Sequence, residues 1–243
     1  MTLFGSDNPT IDLAKYPRLA YARRFNSGQL ADVTDVPAQV RPHVSLNSGG
    51  RPIDPKVIET WLERHDGRAG DLTIDHEVNT GKKGTAAQFK ANMRVAADVL
   101  KGTSWRLVEI LGLWQMAYKP DGGYAYWHSP DAQACGVNAY VTLRPGGLLP
   151  KDVADWLAPA LAYWRSTGLP RLICEWGYPP AMDPTGRDGA RLARQLAKFA
   201  KDNKLDACAA WDNPKSGAPG VPDGAYVFTG DTLVAWQTVI EVG

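Results

Sequence analysis

Short apolar runs alternate with longer amphipathic segments along almost the whole chain. Several of the runs, such as Leu107–Leu111 and Leu172–Cys174, are close to continuously apolar. Runs of this kind are typical of strands that are buried on both faces of a parallel sheet. The predicted strands are Leu3–Ser6, Leu19–Phe25, Gln39–Leu46, Asp71–His76, Arg106–Leu113, Ala134–Val141, Arg171–Trp176 and Ala207–Trp211.

The segments between the strands carry apolar residues at helical spacing. In one of them, Asp54 is placed as an N-cap and Pro55 at the first helical position. The predicted helices are Asp54–His65, Thr85–Lys101, Lys151–Thr167, Asp188–Asn203 and Thr232–Val242. Eight strands in alternation with helices predict a single (β/α)8 barrel over residues 1–243, with two early crossovers that are short and poorly helical. The alternative, an open doubly wound sheet, is disfavoured because no Gly-x-Gly-x-x-Gly follows any strand.

Composition narrows the classes of function. Of the 243 residues, 44% are hydrophobic and 22% are charged, which is typical of one globular domain. The net charge of +1 gives no indication of a nucleic-acid partner. No apolar run approaches the roughly 20 residues that span a bilayer, so no membrane segment is expected. The three cysteines lie in or beside apolar runs and are expected to be buried thiols rather than a disulfide framework.

Two carboxylates stand where predicted strands end. Glu77 closes the run Leu72-Thr-Ile-Asp-His-Glu, and Glu175 closes Leu172-Ile-Cys-Glu. Active sites of such barrels lie at the carboxyl ends of the strands, and strands four and seven face each other across the mouth. Paired carboxylates suit glycoside hydrolysis, because one protonates the leaving oxygen while the other attacks the sugar. The spacing therefore predicts Glu77 and Glu175 as a catalytic pair.

The same segments resemble a known family. His76-Glu77-Val-Asn79 and Cys174-Glu175-Trp176-Gly177 are similar to the His-Glu-Met-Asn and Glu-Phe-Gly motifs of glycoside hydrolase family 26, in clan A. The resemblance implies a retaining (β/α)8 hydrolase, with the acid/base after strand four and the nucleophile after strand seven. Asn138 stands where that family has an acidic residue.

The resemblance also implies substrate-binding residues. Arg24 matches the family's Arg-x-Phe region. Tyr140 would donate a hydrogen bond to the nucleophile, and Arg24 is a second candidate donor to it. Trp211 would form the floor under the reactive sugar. His43 and His76 are candidate polar contacts near the mouth. The full set of predicted substrate-binding residues is Arg24, His43, His76, Asn79, Trp114, Tyr140, Trp176 and Trp211.

The leading hypothesis is thus a retaining hydrolase of a β-linked polysaccharide or oligosaccharide, mannan-like or another β-glycan, that needs no cofactor and no metal. A zinc helix motif is excluded, because position 80 is Thr80 where a second His is needed. The rivals are a carbohydrate-binding barrel without turnover and a metal-dependent barrel hydrolase, for which four histidines are few. A transglycosylase would use the same residues.

The site of action is left open by the sequence. The N-terminus lacks a basic stretch followed by an apolar core, so no signal peptide is visible. An enzyme aimed at polymers is nevertheless expected to act outside the cell or on a virion. One hypothesis is a component of a larger assembly, such as a bacteriophage tail that clears bacterial surface glycans.

Overall fold

The chain forms a closed barrel of eight parallel strands, which confirms the predicted fold. In the computed structural model, the described residues are 1–7, 15–25, 29–80, 84–118, 123–141, 150, 152–179, 183, 185–212 and 227–242. The strands pair in sequence order, and the first pairs with the last to close the ring. They are β1 Leu3–Asp7, β2 Tyr21–Phe25, β3 Arg41–Leu46, β4 Gly70–Ile74, β5 Trp105–Gly112, β6 Ala134–Tyr140, β7 Arg171–Gly177 and β8 Ala207–Trp211.

Helices pack around the outside of the strands. They are α1 Pro55–Arg64, α2 Ala86–Leu100, α3 Leu113–Tyr118, α4 Tyr124–Trp127, α5 Val153–Trp156, α6 Ala158–Thr167, α7 Arg187–Asp202 and α8 Gly230–Val242. The side chain of Asp54 accepts a hydrogen bond from the backbone N–H of Lys56, so the predicted N-cap is confirmed. No helix occurs in the described parts of the first two crossovers, residues 15–20 and 29–40. None of the described helices is long and apolar enough to cross a membrane.

Most predicted elements match the structure to within two residues at each end, and two differences bear on the site and the helix layer. The helix predicted over Lys151–Thr167 is broken into α5 and α6 at Leu157, and Lys151 lies outside the described residues. The break precedes Pro159, which has no N–H to donate to a continuous helix. The fourth strand ends at Ile74, two residues before the predicted end. Glu77 consequently lies on a turn beyond the strand.

The hydrophobic core has two parts. The larger part lies between the sheet and the helices and includes Trp164, Trp176 and Trp236, all fully buried. A smaller cluster fills the barrel interior. It consists of Tyr21, Val108, Ile110, Ala134, Leu172, Cys174, Ala207 and Ala209. This division shows which side chains of β2, β5, β6, β7 and β8 point inward.

Ion pairs close the amino-terminal end of the barrel interior. Asp71 is fully buried and accepts hydrogen bonds from Arg41 at 2.8 Å and from Arg106 at 2.9 Å. Burial alone would raise the pKa of Asp71, but these two guanidinium groups hold it below its ordinary value. The closed lower end leaves the opposite, carboxyl end of the strands as the mouth.

Candidate active site

An irregularity in β7 determines the direction of Glu175. Val137 of β6 pairs with Ile173, but the next residue, Asn138, pairs with Glu175. Cys174 is therefore an extra residue in β7, and the register of β7 against β8 shifts in the same segment. This is a β-bulge, a feature that commonly re-aims a side chain beside an active site.

The bulge turns two successive side chains inward. Cys174 packs in the barrel interior, and Glu175 contacts interior side chains at the mouth. Strict alternation would instead have pointed Glu175 out toward the helices. Alternation resumes with Trp176, which packs outside the barrel against Phe228 and Trp236, at ring-centroid distances of 4.8 and 5.0 Å.

Three side chains donate hydrogen bonds to Glu175, whose exposed fraction is 2%. The guanidinium of Arg23 and the hydroxyl of Tyr140 bond to separate carboxylate oxygens. The amide of Asn138 donates to the Tyr140-bonded oxygen at 2.9 Å. Arg23 is itself oriented by Ser45 and by the Asn138 carbonyl oxygen, each at 3.2 Å. A buried carboxylate with these partners is held in one orientation.

Glu77 stands on a tight turn after β4. Its backbone has φ +56, and that of Asp75 has φ +48, both in the left-handed region that non-glycine residues seldom adopt. The Glu77 N–H donates to the carbonyl of Ile110 at 2.9 Å, and the Asp75 N–H donates to that of Leu46 at 2.9 Å. The turn is therefore fixed to the strands on both sides, as expected where unusual backbone is retained at a functional site.

Two side chains hold this turn in place. Asn79 bonds to the backbone of Gly112 twice, through its amide at 3.0 Å and its carbonyl at 2.8 Å. Asp75 accepts from both the N–H and the hydroxyl of Ser48. Asn79 is only 3% exposed. Asn79 thus acts as a tether that positions Glu77, and its predicted role as a substrate contact stays a prediction.

The amide nitrogen of Asn138 joins the two glutamates. It donates to an oxygen of Glu77 at 3.1 Å and to an oxygen of Glu175 at 2.9 Å. Since both oxygens bond to one nitrogen, they lie no further apart than the sum of these distances, 6.0 Å. The structure thus brings together at the mouth the two carboxylates that the sequence paired.

The prediction for Arg24 is wrong by one residue. In β2, Tyr21 and Arg23 face the barrel interior, so Arg24 faces outward. Its guanidinium forms a bidentate pair with Asp35, at 2.6 and 2.8 Å. Arg23, which was not among the predicted residues, donates the hydrogen bond to Glu175 instead. In the sequence, only the alternation of inward and outward side chains along β2 could distinguish Arg23 from Arg24. This signal is weak because both faces of the strand are buried.

His43 and Trp176 are also misplaced by the prediction. Each is fully buried, which leaves neither ring exposed to bind a sugar. His43 lies inside the barrel and bonds to the hydroxyls of Tyr21 and Thr73. Burial, followed by the nearby charge of Arg23, lowers the pKa of His43 well below its ordinary value, so it is neutral. Trp176 is part of the core outside the barrel.

The remaining predicted residues lie at the mouth end of the barrel. Tyr140 contacts Glu175, and the half-buried ring of Trp211 meets Tyr140 edge-on with centroids 6.3 Å apart. His76 is half-buried in the turn next to Glu77. Trp114 is 37% exposed in α3, directly after β5. Trp211 and Trp114 thus offer aromatic surface on the side where the carboxylates open.

Comparisons with known proteins give structural neighbours only. No family model and no curated protein matches the sequence. Among solved structures, a GH128 subgroup II endo-β-1,3-glucanase from Sorangium cellulosum has a TM-score of 0.66 at 16% identity, over 98% of both chains. A GH128 subgroup I endo-β-1,3-glucanase from Amycolatopsis mediterranei, in complex with laminaripentaose, has a TM-score of 0.61 at 13% identity, over 98% of this chain and 100% of that chain.

A GH26 endo-β-1,4-mannanase catalytic domain from Bacillus sp. JAMB-750 has a TM-score of 0.59 at 14% identity, over 99% of this chain and 85% of that domain. At these identities the likeness establishes the shared barrel fold alone. Since the neighbours carry more than one family designation, the resemblance to family 26 in particular is not confirmed.

Proposed function

We propose that the chain is a retaining glycoside hydrolase of clan A type, with Glu175 as nucleophile and Glu77 as general acid/base. The observation that carries the proposal is the Asn138 amide, which binds both carboxylates and limits one pair of their oxygens to 6.0 Å. Retaining enzymes have carboxyl groups about 5–5.5 Å apart, whereas inverting enzymes leave about 6.5–9.5 Å for a water molecule. The geometry supports the retaining class.

In the first step, an ionised oxygen of Glu175 attacks the anomeric carbon while protonated Glu77 gives its proton to the departing glycosidic oxygen. The bond from the anomeric carbon to that oxygen breaks, and a glycosyl ester with Glu175 forms. Arg23, Asn138 and Tyr140 donate hydrogen bonds to the attacking carboxylate and fix its direction. Their donors are already in place before the sugar binds, which lowers the cost of reorganisation.

In the second step, the ionised Glu77 takes a proton from water, and the resulting hydroxide attacks the anomeric carbon. The ester bond breaks, Glu175 leaves as a carboxylate, and Glu77 is protonated again. Two inversions at the same carbon give net retention. The turn that carries Glu77 is tied to both neighbouring strands, so this residue can keep one position through both steps.

The substrate class proposed is a β-linked polysaccharide. Its support is that the neighbours are named for β-1,3-glucan and β-1,4-mannan hydrolysis, and that Trp211 and Trp114 expose ring surface near the mouth. Two narrower substrates are proposed. A mannan-like chain rests on the sequence resemblance to family 26, and a bacterial surface glycan rests only on the expectation that the substrate is a polysaccharide. Action within a phage tail is a hypothesis without support from the comparisons.

The experiment is a screen of β-glucans, mannans, galactans and bacterial surface glycans for release of reducing ends. Glu175→Gln, which keeps shape and loses the nucleophile, is the control. The proposal expects release from at least one β-glycan by the wild type and none by the variant. Binding without release by both proteins would support the rival carbohydrate-binding barrel, and transfer of glycosyl units to sugar acceptors would indicate a transglycosylase.

A further inference from the structure

A second group of reactive side chains lies behind the barrel wall, away from the proposed catalytic pair. Glu109 is fully buried in β5 and alternates with Val108 and Ile110, which face the barrel interior. Its side chain therefore points the opposite way, into the layer between sheet and helices. Cys135 of β6 is also fully buried and belongs to that outer core. His128, just after α4, completes the group.

The donor atoms of this group converge. Among the described residues, Glu109, His128 and Cys135 can each offer one ligand atom, and these three atoms lie within 4.8 Å of one another. A tetrahedral ion with bonds of about 2.0–2.3 Å needs donor atoms roughly 3.3–3.8 Å apart. The longest donor-to-donor distance must therefore shorten by about 1 Å when the ion binds. His128 can supply that movement, because it lies in a connection and its side chain is 30% exposed.

The surroundings orient the carboxylate as they would for a metal ligand. One oxygen of Glu109 accepts from the backbone N–H of Ser129 at 2.6 Å. The other accepts from the Tyr163 hydroxyl and faces the His128 ring nitrogen at 3.1 Å. Cys135 is fixed by the Trp164 indole, which donates to its backbone carbonyl at 3.0 Å. Outer partners of this kind set the direction of ligands around a bound ion.

A carboxylate in an apolar layer is costly unless positive charge lies beside it. Among the described residues, His128 is the basic group that pairs with Glu109, with its ring nitrogen 3.1 Å from the carboxylate. A divalent ion at the point where the three donors converge would neutralise both Glu109 and a Cys135 thiolate. Thiolate, imidazole and carboxylate together match zinc and cobalt, whereas magnesium and calcium prefer oxygen ligands throughout.

We propose that Glu109, His128 and Cys135 form a structural site for a divalent transition-metal ion of the zinc class. Binding makes three ligand bonds and releases the Cys135 thiol proton, together with the His128 ring proton where that nitrogen carries one. The fourth ligand is water, which reaches the ion past the exposed side of His128. The ion joins β5, β6 and the chain after α4, and it stabilises this side of the barrel without contacting the mouth.

The test uses Co²⁺, which reports thiolate ligation by a charge-transfer band and four-coordination by visible d–d bands. Chelator-treated, reduced wild-type protein is titrated with Co²⁺ and should bind one equivalent with both signals, displaced by Zn²⁺. Cys135→Ser should lose the charge-transfer band. Cys208→Ser is the matched control, because Cys208 is equally buried but lies in β8, and it should retain the wild-type spectrum.

Absence of a thiolate band in the wild type would overturn the proposal, as would the same band in Cys135→Ser. If Cys135→Ser does not fold, His128→Ala decides, since it removes a partly exposed ligand and should weaken Co²⁺ binding at least tenfold. Unchanged affinity in His128→Ala would also overturn it. Zn²⁺ should raise the Tm of the wild type, and the increase should grow with the logarithm of the free Zn²⁺ concentration above the Kd. None of these readouts depends on the release of reducing ends in the proposed reaction.

Discussion

Arg23 and Glu175 form a buried ion pair at the mouth of the barrel. The arginine side chain is fully buried and the glutamate side chain is 3% exposed. The two residues lie on β2 and β7, so the pair spans the interior and links distant parts of the chain. Removal of one partner from such a pair leaves an uncompensated buried charge. The pair therefore contributes both to the orientation of Glu175 and to the integrity of the site.

The adjacent arginines of β2 give a matched test of this relationship. Arg23→Lys keeps the charge but loses the planar guanidinium that reaches Glu175, Asn138 and Ser45. Turnover should fall by about 10²–10³-fold, the loss typical of one preorganised donor. Arg24→Lys, on the outer face, should leave turnover unchanged. Equal activity losses in steady-state assays of the two variants would show that the inward direction of Arg23 is unimportant.

The bridging amide of Asn138 gives a second prediction. Asn138→Ala removes the hydrogen bonds to both glutamates, whereas Asn138→Asp keeps the size and places a third carboxyl group between them. Like charges at this distance repel, so the order of turnover should be wild type, then Ala, then Asp. Losses for Ala should reach about 10²-fold. An Asp variant more active than Ala in the same assay would contradict an electrostatic role for the amide.

Much of the framework could be predicted, because apolar runs and helical spacing record which segments are buried. The bulge in β7 could not be predicted, because Cys174-Glu175 has the sequence of a regular strand end. Only the pairing of β7 with β6 and β8 determines which residue is extra. The turn at Glu77 also had no sequence signal, because glutamate rarely adopts φ +56. Glu77 and Glu175 could be predicted because each stands at the carboxyl end of an apolar run, where the active sites of such barrels lie.

The faces of strands were the main source of error. In a parallel barrel the inner and the outer faces are both covered, so alternation of apolar and polar residues is weak. Arg23 and Arg24 are chemically equivalent in sequence, and only the inward packing of Tyr21 shows which one enters the barrel. Trp176 follows an apolar run as Trp211 does, yet it packs on the outer face.

This contrast between the two tryptophans is testable. Trp176→Ala should reduce the free energy of unfolding by about 3–5 kcal/mol, because it empties a fully buried site against Trp236. Trp211→Ala should change stability much less and should instead raise KM for the polysaccharide, because the half-buried ring meets Tyr140 at the mouth. Denaturant melts and steady-state kinetics of both variants separate these effects. A large stability loss in Trp211→Ala with unchanged KM would place that ring in the core.

The acid/base role of Glu77 predicts a dependence on the leaving group. Glu77→Gln cannot donate a proton, so hydrolysis of natural glycans should fall by about 10²–10⁴-fold. Aryl glycosides with good leaving groups need no protonation in the first step. For these substrates the variant should form the glycosyl-enzyme at a rate closer to that of the wild type. A pre-steady-state burst of aryl alcohol measures that step. Equal losses for both kinds of substrate would argue against Glu77 as the acid.

The central claim is that a covalent glycosyl ester forms on Glu175. The most direct measurement is peptide mapping by mass spectrometry after reaction with an activated 2-deoxy-2-fluoro β-glycoside that matches the glycan found in the screen. Fluorine at C2 destabilises both transition states, whereas the activated leaving group speeds only the first step, so the ester should accumulate. The account predicts one added glycosyl unit per chain, located on Glu175. An adduct on another carboxylate, or turnover of the glycan with inverted anomeric configuration, would contradict it.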